Sequence, residues 1–225
     1  MRIATEKMTA RDYVAAKAGR DCLIPLHYVG ADVDAIPFAD LPAQYVIKAS
    51  HGSGFNIIVG DKTTLDESAV KAQLRRWLDL DWYRLSCEWG YKGIPRRIMV
   101  EALLLERGQL PANYRLFVFN GKVSFIGYKP PGPLAPTIVN RPPQATTDYF
   151  DTDWRPLLIR DDKPGSAVVP AAPKNLPEML RLAELLAADF ESCCIDLYNV
   201  DGKIYFGEVT HYCASGLARF SPDFD

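Results

Sequence analysis

Three hairpin signals and two amphipathic helical patterns predict an α+β protein built on antiparallel sheets. The hairpins are residues 45–59, with Ala49-Ser50-His51-Gly52-Ser53-Gly54 between apolar runs, residues 114–128 around Asn120-Gly121, and residues 194–210 around Asp201-Gly202. Helical spacing puts Val70, Leu74, Trp77 and Leu78 on one face of residues 66–80, and Met179, Leu182, Leu186 and Phe190 on one face of a helix capped by Asn175. The composition agrees, since 225 residues with 48% hydrophobic and 24% charged content can bury one core or two joined lobes.

Charge and cysteine use exclude several classes. With 26 basic against 28 acidic residues and a net charge of -2, there is no electrostatic footprint for nucleic acid or an anionic membrane. The opening MRIATEKMTARDYV has no apolar signal core, and no run approaches the roughly 18 apolar residues of a spanning helix, so a cytoplasmic location without membrane insertion is expected. Five cysteines at irregular spacing read as buried thiols, with the neighbours Cys193 and Cys194 facing opposite sides of a strand. The scattered His27, His51 and His211 do not make a zinc site.

Taken in order, residues 9–18 read as a helix with Thr9 as N-cap and Gly19 as stop, residues 24–29 as a strand, and residues 32–42 as a loop. The first hairpin then suits a phosphate. Gly52 and Gly54 let backbone N–H groups converge on an anion, and Lys48 adds a point charge. It is not a Walker loop, because no Gly-Lys-Ser/Thr follows and the next segment reads as strand. An ordinary glycine turn would have the same local pattern.

Residues 97–105 form an apolar strand interrupted by Glu101, and a carboxylate inside such a run needs a partner or a task. Arg115 and Lys129 stand at the two open ends of the Asn120-Gly121 hairpin. Residues 130–143 are proline-rich with little periodicity and read as a lid-like loop, and residues 161–173 as irregular. Asp151-Thr152-Asp153 has the form of a nucleotide-sugar motif.

In the last hairpin, register decides whether Asp196 and Glu208 can cooperate. A two-residue turn at Asp201-Gly202 opposes Ile195 to Glu208 and puts the acids on opposite faces. A three-residue loop with Gly202 in the bulge position opposes Cys194 to Glu208 and puts both acids on one face, and the glycine favours that register. Two carboxylates on one face call for a bridging cation, and magnesium, commonly held by one or two carboxylates plus substrate phosphates, fits.

These parts together resemble the ATP-grasp fold, with two α+β lobes whose antiparallel sheets clamp a nucleotide. More narrowly, KASHGSGFNIIV, ANYRLFVFNGKV, YFDTDW and DLYNVDGKIYFGEVT followed by ASG are similar to the TupA-like ATP-grasp family of polysaccharide gene clusters. The resemblance covers nearly the whole chain. It implies a single ATP-grasp unit over residues 1–225, with a glycine-hairpin lobe over about residues 5–100 and a hinge-and-metal lobe over about 101–225. It implies ATP and Mg2+ as cofactors. Lys48 would hold the α and β phosphates, and the loop His51, Gly52, Ser53 and Gly54 would close over the γ phosphate. Glu101 would mark the hinge, with Ala102, Leu103 and Leu104 reading adenine and Glu106 meeting the ribose. Arg115 and Lys129 would contact the transferred phosphoryl group, and Asp196 and Glu208 would carry the metal.

The chain departs from the common pattern at three positions. Cys194 stands where arginine is frequent, Thr210 where asparagine is frequent, and Cys213 where proline is expected. Little sequence precedes the first helix, so a reduced substrate-binding pre-domain is expected. The implied function is a carboxylate–amine ligase acting through an acyl phosphate, with small-molecule partners that include an amino acid and a sugar acid or polysaccharide precursor. A phosphotransferase and a non-catalytic nucleotide- or glycan-binding module are the alternatives. The substrates and the oligomeric state are not legible in the sequence.

Overall fold

The computed structural model describes residues 2–139, 146–161, 163–211, 216 and 219–221. The chain opens with a short helix α1 (Arg2–Thr5) and then α2 (Lys7–Ala18). Helix α2 begins two residues before the expected start, because Glu6 and not Thr9 is its N-cap: the extended Glu6 turns its carboxylate back to accept the Thr9 N–H at 2.8 Å. Gly19, at φ +80°, ends it as expected.

Strands β1 (Leu26–Gly30), β2 (Tyr45–Ala49) and β3 (Asn56–Val59) follow, then helices α3 (Glu67–Asp79) and α4 (Trp82–Ser86), and strand β4 (Ile98–Ala102). Asp66 caps α3 through the Ala69 N–H, and Val70, Leu74 and Trp77 are its buried residues. The second half contains β5 (Asn113–Phe119), β6 (Lys122–Lys129), β7 (Thr137–Val139), β8 (Asp148–Phe150), α5 (Leu176–Ala187), β9 (Ser192–Val200) and β10 (Lys203–Thr210).

Two five-stranded sheets result, in the orders β1-β4-β2-β3-β7 and β10-β9-β5-β6-β8, with every ladder antiparallel. The first packs Tyr45, Ile47, Ile57 and Val100 against α3 and against Val33, Ile36, Phe38 and Leu41 from the loop after β1. The second packs Leu116, Ile126, Ile195 and Leu197 against α5 and α2. Helix α2 therefore belongs to the core of the second sheet, although it precedes the first in sequence.

Three local expectations change. The proline-rich segment 130–143 is not irregular throughout, because Thr137–Val139 pairs with β3 and adds an edge strand to the first sheet, while residues 140–143 lie outside the described residues. Asn175 makes no side-chain cap bond; its amide instead donates to the Gly202 carbonyl at 2.9 Å and pairs with Asn199, tying α5 to the last hairpin. That hairpin has a two-residue turn, Lys203 opposite Val200, and not the three-residue loop. Asp201 at φ +49° and Gly202 at φ +85° supply the left-handed pair such a turn requires.

The two acids still reach one face, by a different device. Between Phe206 and Glu208 the register shifts, so Gly207 is an extra residue and Glu208 comes directly opposite Asp196. The shift reverses the alternation of β10: Phe206 and Val209 face the core while Glu208 joins Asp196 on the other side. Gly207 is small because a β-carbon there would lie 3.0 Å from the Asp196 carbonyl oxygen and 3.2 Å from the Tyr198 ring.

Candidate active site

Between the sheets lies a polar cavity of about 370 Å³. Among the described residues its wall holds six cations, Lys7, Arg11, Lys48, Arg115, Lys129 and Lys163, against three carboxylates, Glu101, Asp196 and Glu208. A second cavity of about 120 Å³ is lined mainly by apolar groups, among them Val46, Ile58, Ala102, Leu103 and Leu104. The two share Lys48, Asn56 and Tyr198, so an apolar slot opens beside a cationic chamber.

Glu101 has its partners. Buried in β4, it accepts Arg11 Nη1 at 2.8 Å on one oxygen and Lys48 Nζ at 2.6 Å on the other. The second guanidinium nitrogen of Arg11 donates to the Ile24 carbonyl at 2.7 Å, which fixes the arginine against the strand entrance. Burial works against the Lys48 ammonium, but the Glu101 charge and hydrogen bond, with Tyr198 and Glu208, together hold its pKa above the ordinary lysine value.

The glycine loop divides in two. Ser53 and Gly54 line the cationic cavity, with Gly54 at φ +74°. His51 does not: it is buried, and its Nε2–H donates to the Trp77 carbonyl at 2.8 Å, with burial pushing its pKa down. Its ring anchors the loop to α3, and Ser53 and Gly54 are left to face the cavity. Gly52 lies under the Phe55 ring, where a β-carbon would approach to 2.6 Å, and Phe55 stacks on Trp77 at 5.2 Å. The Gly52 carbonyl accepts Lys7 Nζ at 2.8 Å, so α2 holds the loop from the opposite side. Burial pushes the Lys7 pKa below the ordinary value although Glu208 opposes it.

At the far end Arg115 grips Asp196 with two bonds of 2.7 Å and reaches Glu208 at 3.4 Å. Arg115 sits opposite Asp196 in the β5–β9 ladder and so supplies a guanidinium beside that carboxylate, while Cys194, where arginine is frequent, is buried behind Phe117 and Tyr149. Burial opposes ionisation of Asp196, yet the Arg115 charge and its hydrogen bonds hold the carboxyl below its ordinary value. Glu208 moves the other way: enclosure, then the Asp196 charge, raises it. Lys129 is pushed down by burial and by the Arg115 charge.

The structure therefore brings together Lys48, Ser53, Gly54, Glu101, Arg115, Lys129, Asp196 and Glu208, with Ala102, Leu103 and Leu104 around the adjoining slot. Glu106 lies in a tight turn with Gln109 and lines neither cavity. Asp151 spends its carboxylate on the N–H groups of Asp153 and Arg155 at 2.9 and 2.8 Å, which makes Asp151-Thr152-Asp153 a self-capped turn. Cys213 and Ala214 lie outside the described residues. Sequence reasoning missed Lys7, Arg11, Tyr91, Asn113, Lys163 and Tyr198. Lys7 and Arg11 had a local signal only, being one helical turn apart, and nothing along the chain placed them beside Glu101.

Among the described residues no group of three His, Cys, Asp or Glu could hold a metal, so Asp196 and Glu208 are a pair of carboxylates without a third such group. They still fit a hard divalent cation, because Glu208 lies directly opposite Asp196, its pKa is raised by enclosure and then by the Asp196 charge, and a cation would relieve that repulsion. Among the described residues no helix is long and apolar enough to cross a membrane.

A family model described as TupA-like ATP-grasp matches residues 2–225. No curated protein matches the sequence. Among solved structures, an L-amino acid ligase from Bacillus licheniformis superposes with a TM-score of 0.56 at 17% identity, over 96% of this chain and 44% of its own. D-cycloserine synthetase DcsG gives 0.53 at 13% identity, over 93% and 63%. An ADP complex of N5-carboxyaminoimidazole ribonucleotide synthetase gives 0.53 at 10% identity, over 92% and 44%. This chain thus spans less than two thirds of each of these structures, and at such identities the likeness establishes a shared ATP-grasp fold.

Proposed function

Because this chain belongs to the TupA-like ATP-grasp family, we propose that it is an ATP-dependent carboxylate–amine ligase. The observation that carries the reading is the apolar slot opening into a cationic chamber that ends in two facing carboxylates. A nucleotide has the same sequence of chemistries, a flat base followed by anionic phosphates. In this reading the base lies against Ala102, Leu103 and Leu104, and the phosphates lie among Lys7, Lys48 and the backbone of Ser53 and Gly54. Asp196 and Glu208 hold Mg2+, which supplies counter-charge to the phosphates.

Arg115 and Lys129 then face the phosphoryl group in transit. An oxygen of the acid substrate forms a bond to the γ phosphorus as the bond to the bridging oxygen of ADP breaks. The amine nitrogen next attacks the acyl carbon, phosphate leaves with the electron pair of the C–O bond, and the nitrogen loses a proton. One ATP becomes ADP and phosphate for each amide formed. The chain's contribution is orientation and charge, the dominant requirements of phosphoryl transfer. We assign the reaction to the cytoplasm, with an amino acid and a sugar acid of a surface-polysaccharide precursor as substrates.

The test is ADP release that requires both an acid and an amine and that collapses in Glu208→Ala. Hydroxylamine trapping of an acyl phosphate separates this reading from a phosphotransferase. Nucleotide binding without turnover across a panel of uronic acids and amino acids would overturn it.

A further inference from the structure

Among the described residues, three of the large cavity's cations make no ion pair with the chain's own acids, and the ammonium groups of two of these make no hydrogen bond either. Arg11 and Lys48 are bound to Glu101, Arg115 to Asp196 and Glu208, and Lys7 to the Gly52 carbonyl. Lys129, at the end of β6, and Lys163, from the loop after β8, also line the wall, yet among the described residues neither ammonium makes a hydrogen bond or ion pair.

Lys163 is no loosely solvated tip. Its N–H donates to Asp161 Oδ1 at 2.9 Å, and Asp161 Oδ2 accepts the Tyr149 hydroxyl at 3.2 Å. The next residues are pinned to β8 and its approach, with Thr147 N–H donating to the Pro164 carbonyl at 3.1 Å and Ser166 N–H to Asp148 Oδ1 at 2.8 Å. A fixed loop thus carries one lysine into the cavity near another. Burial and the Arg115 charge push Lys129 down, Asp196 and Glu208 oppose them, and Lys163 is near enough to add to the downward push. With six cations against three carboxylates among the described lining residues, the wall keeps an excess of positive charge, and such an excess forms an anion site.

We propose that Lys163 and Lys129 form the subsite for the carboxylate of the acid substrate, which enters as its anion beside Arg115. The inference deepens the ligase reading and rests on it. By the same electrostatics the subsite rejects the amine partner in its ammonium form. Asp161 is a positioning residue, acting through the turn that presents Lys163.

Calorimetric titration tests this on the full chain loaded with ADP and Mg2+. The probe is phosphonoacetate, whose carboxylate and phosphonate reproduce the charge of an acid beside a transferred phosphoryl group. The unaltered protein is expected to bind it, and Lys163→Met and Lys129→Met to weaken it by about tenfold or more. Lys163→Arg keeps the affinity within about threefold, ADP affinity changes less than about twofold in both Lys163 variants, and the exposed Lys174→Met behaves as unaltered protein. The retained ADP affinity reports that the variants are folded. Phosphonoacetate binding that survives Lys163→Met, or that is absent from ADP-loaded unaltered protein, overturns this inference alone. Failure of the unaltered protein to bind ADP overturns the nucleotide reading and this inference with it.

Discussion

Glu208 stands directly opposite Asp196 because Gly207 is an extra residue in β10. The spacing leaves no room for a side chain, since a β-carbon on Gly207 would press on the Asp196 backbone and the Tyr198 ring. Gly207→Val is therefore expected to spread β9 from β10 at the acids and to cost about 1–3 kcal/mol of stability, the usual range for overpacking. Urea denaturation measures the cost. Magnesium-dependent nucleotide binding should fall further in this variant than magnesium-independent binding, because the two strands that part each bear one of the carboxylates.

Glu101 joins two cations from distant parts of the chain, and its side chain is only 6% exposed. Glu101→Met leaves Arg11 and Lys48 in the wall without their counter-charge. Breaking a buried pair from one side costs about 3–5 kcal/mol, and the variant is expected to lose stability of that order. Adding Lys48→Met to it should recover part of the loss, since one uncompensated charge disappears. A double-mutant cycle by chemical denaturation checks both statements, and a double variant no more stable than Glu101→Met would contradict the second.

The acid pair sets a pH dependence of definite sign. Glu208 has a raised pKa in the fold, so between the ordinary glutamate value and that higher value the native state binds the extra proton. Stability then falls as pH rises through this window. Asp196, held low, contributes stability above its unfolded pKa and loses it as pH falls through the lower folded value. Glu208→Gln should abolish the upper slope and be more stable than the unaltered protein at neutral pH in the absence of metal and nucleotide. It should also lose magnesium-dependent nucleotide binding. Thermal midpoints across pH 4 to 8, on the order of one step per pH unit, test the slope.

Gly52 is required by contact and not by backbone angle, since the Phe55 ring occupies the space of its missing β-carbon. Gly52→Ala must displace Phe55 from its stacking on Trp77 and its edge contact with Trp82. We expect it to weaken nucleotide binding by about tenfold while costing about 1–2 kcal/mol of stability. Phe55→Ala should show the reverse balance, with about 2–4 kcal/mol lost from the aromatic packing. Fluorescence of the tryptophans during denaturation and ADP titration separates the two effects.

Much of the site was legible along the chain. Lys48 before a glycine loop, Glu101 alone in an apolar strand, and Asp196 and Glu208 in the last hairpin are local anomalies, each visible against its neighbours. Other parts were not. His51 reads as a loop ligand but is buried under Trp77, and Asn175 reads as a helix cap but binds the turn at Gly202. The lone acid Glu101 announced a need for cations without saying that Arg11, 90 residues earlier, would meet it.

The sequence by itself determined where the hairpins turn, the helix faces and the α+β class, though not the two-residue form of the last turn, because left-handed turn residues and apolar periodicity act between near neighbours. It also determined which acids and cations are out of place in their own segments. The tertiary structure alone decided which of them meet. That choice depends on strand register, where one extra residue such as Gly207 moves a carboxylate from the core to the cavity, and on side chains such as Arg11 and Lys163 brought in from elements far along the chain.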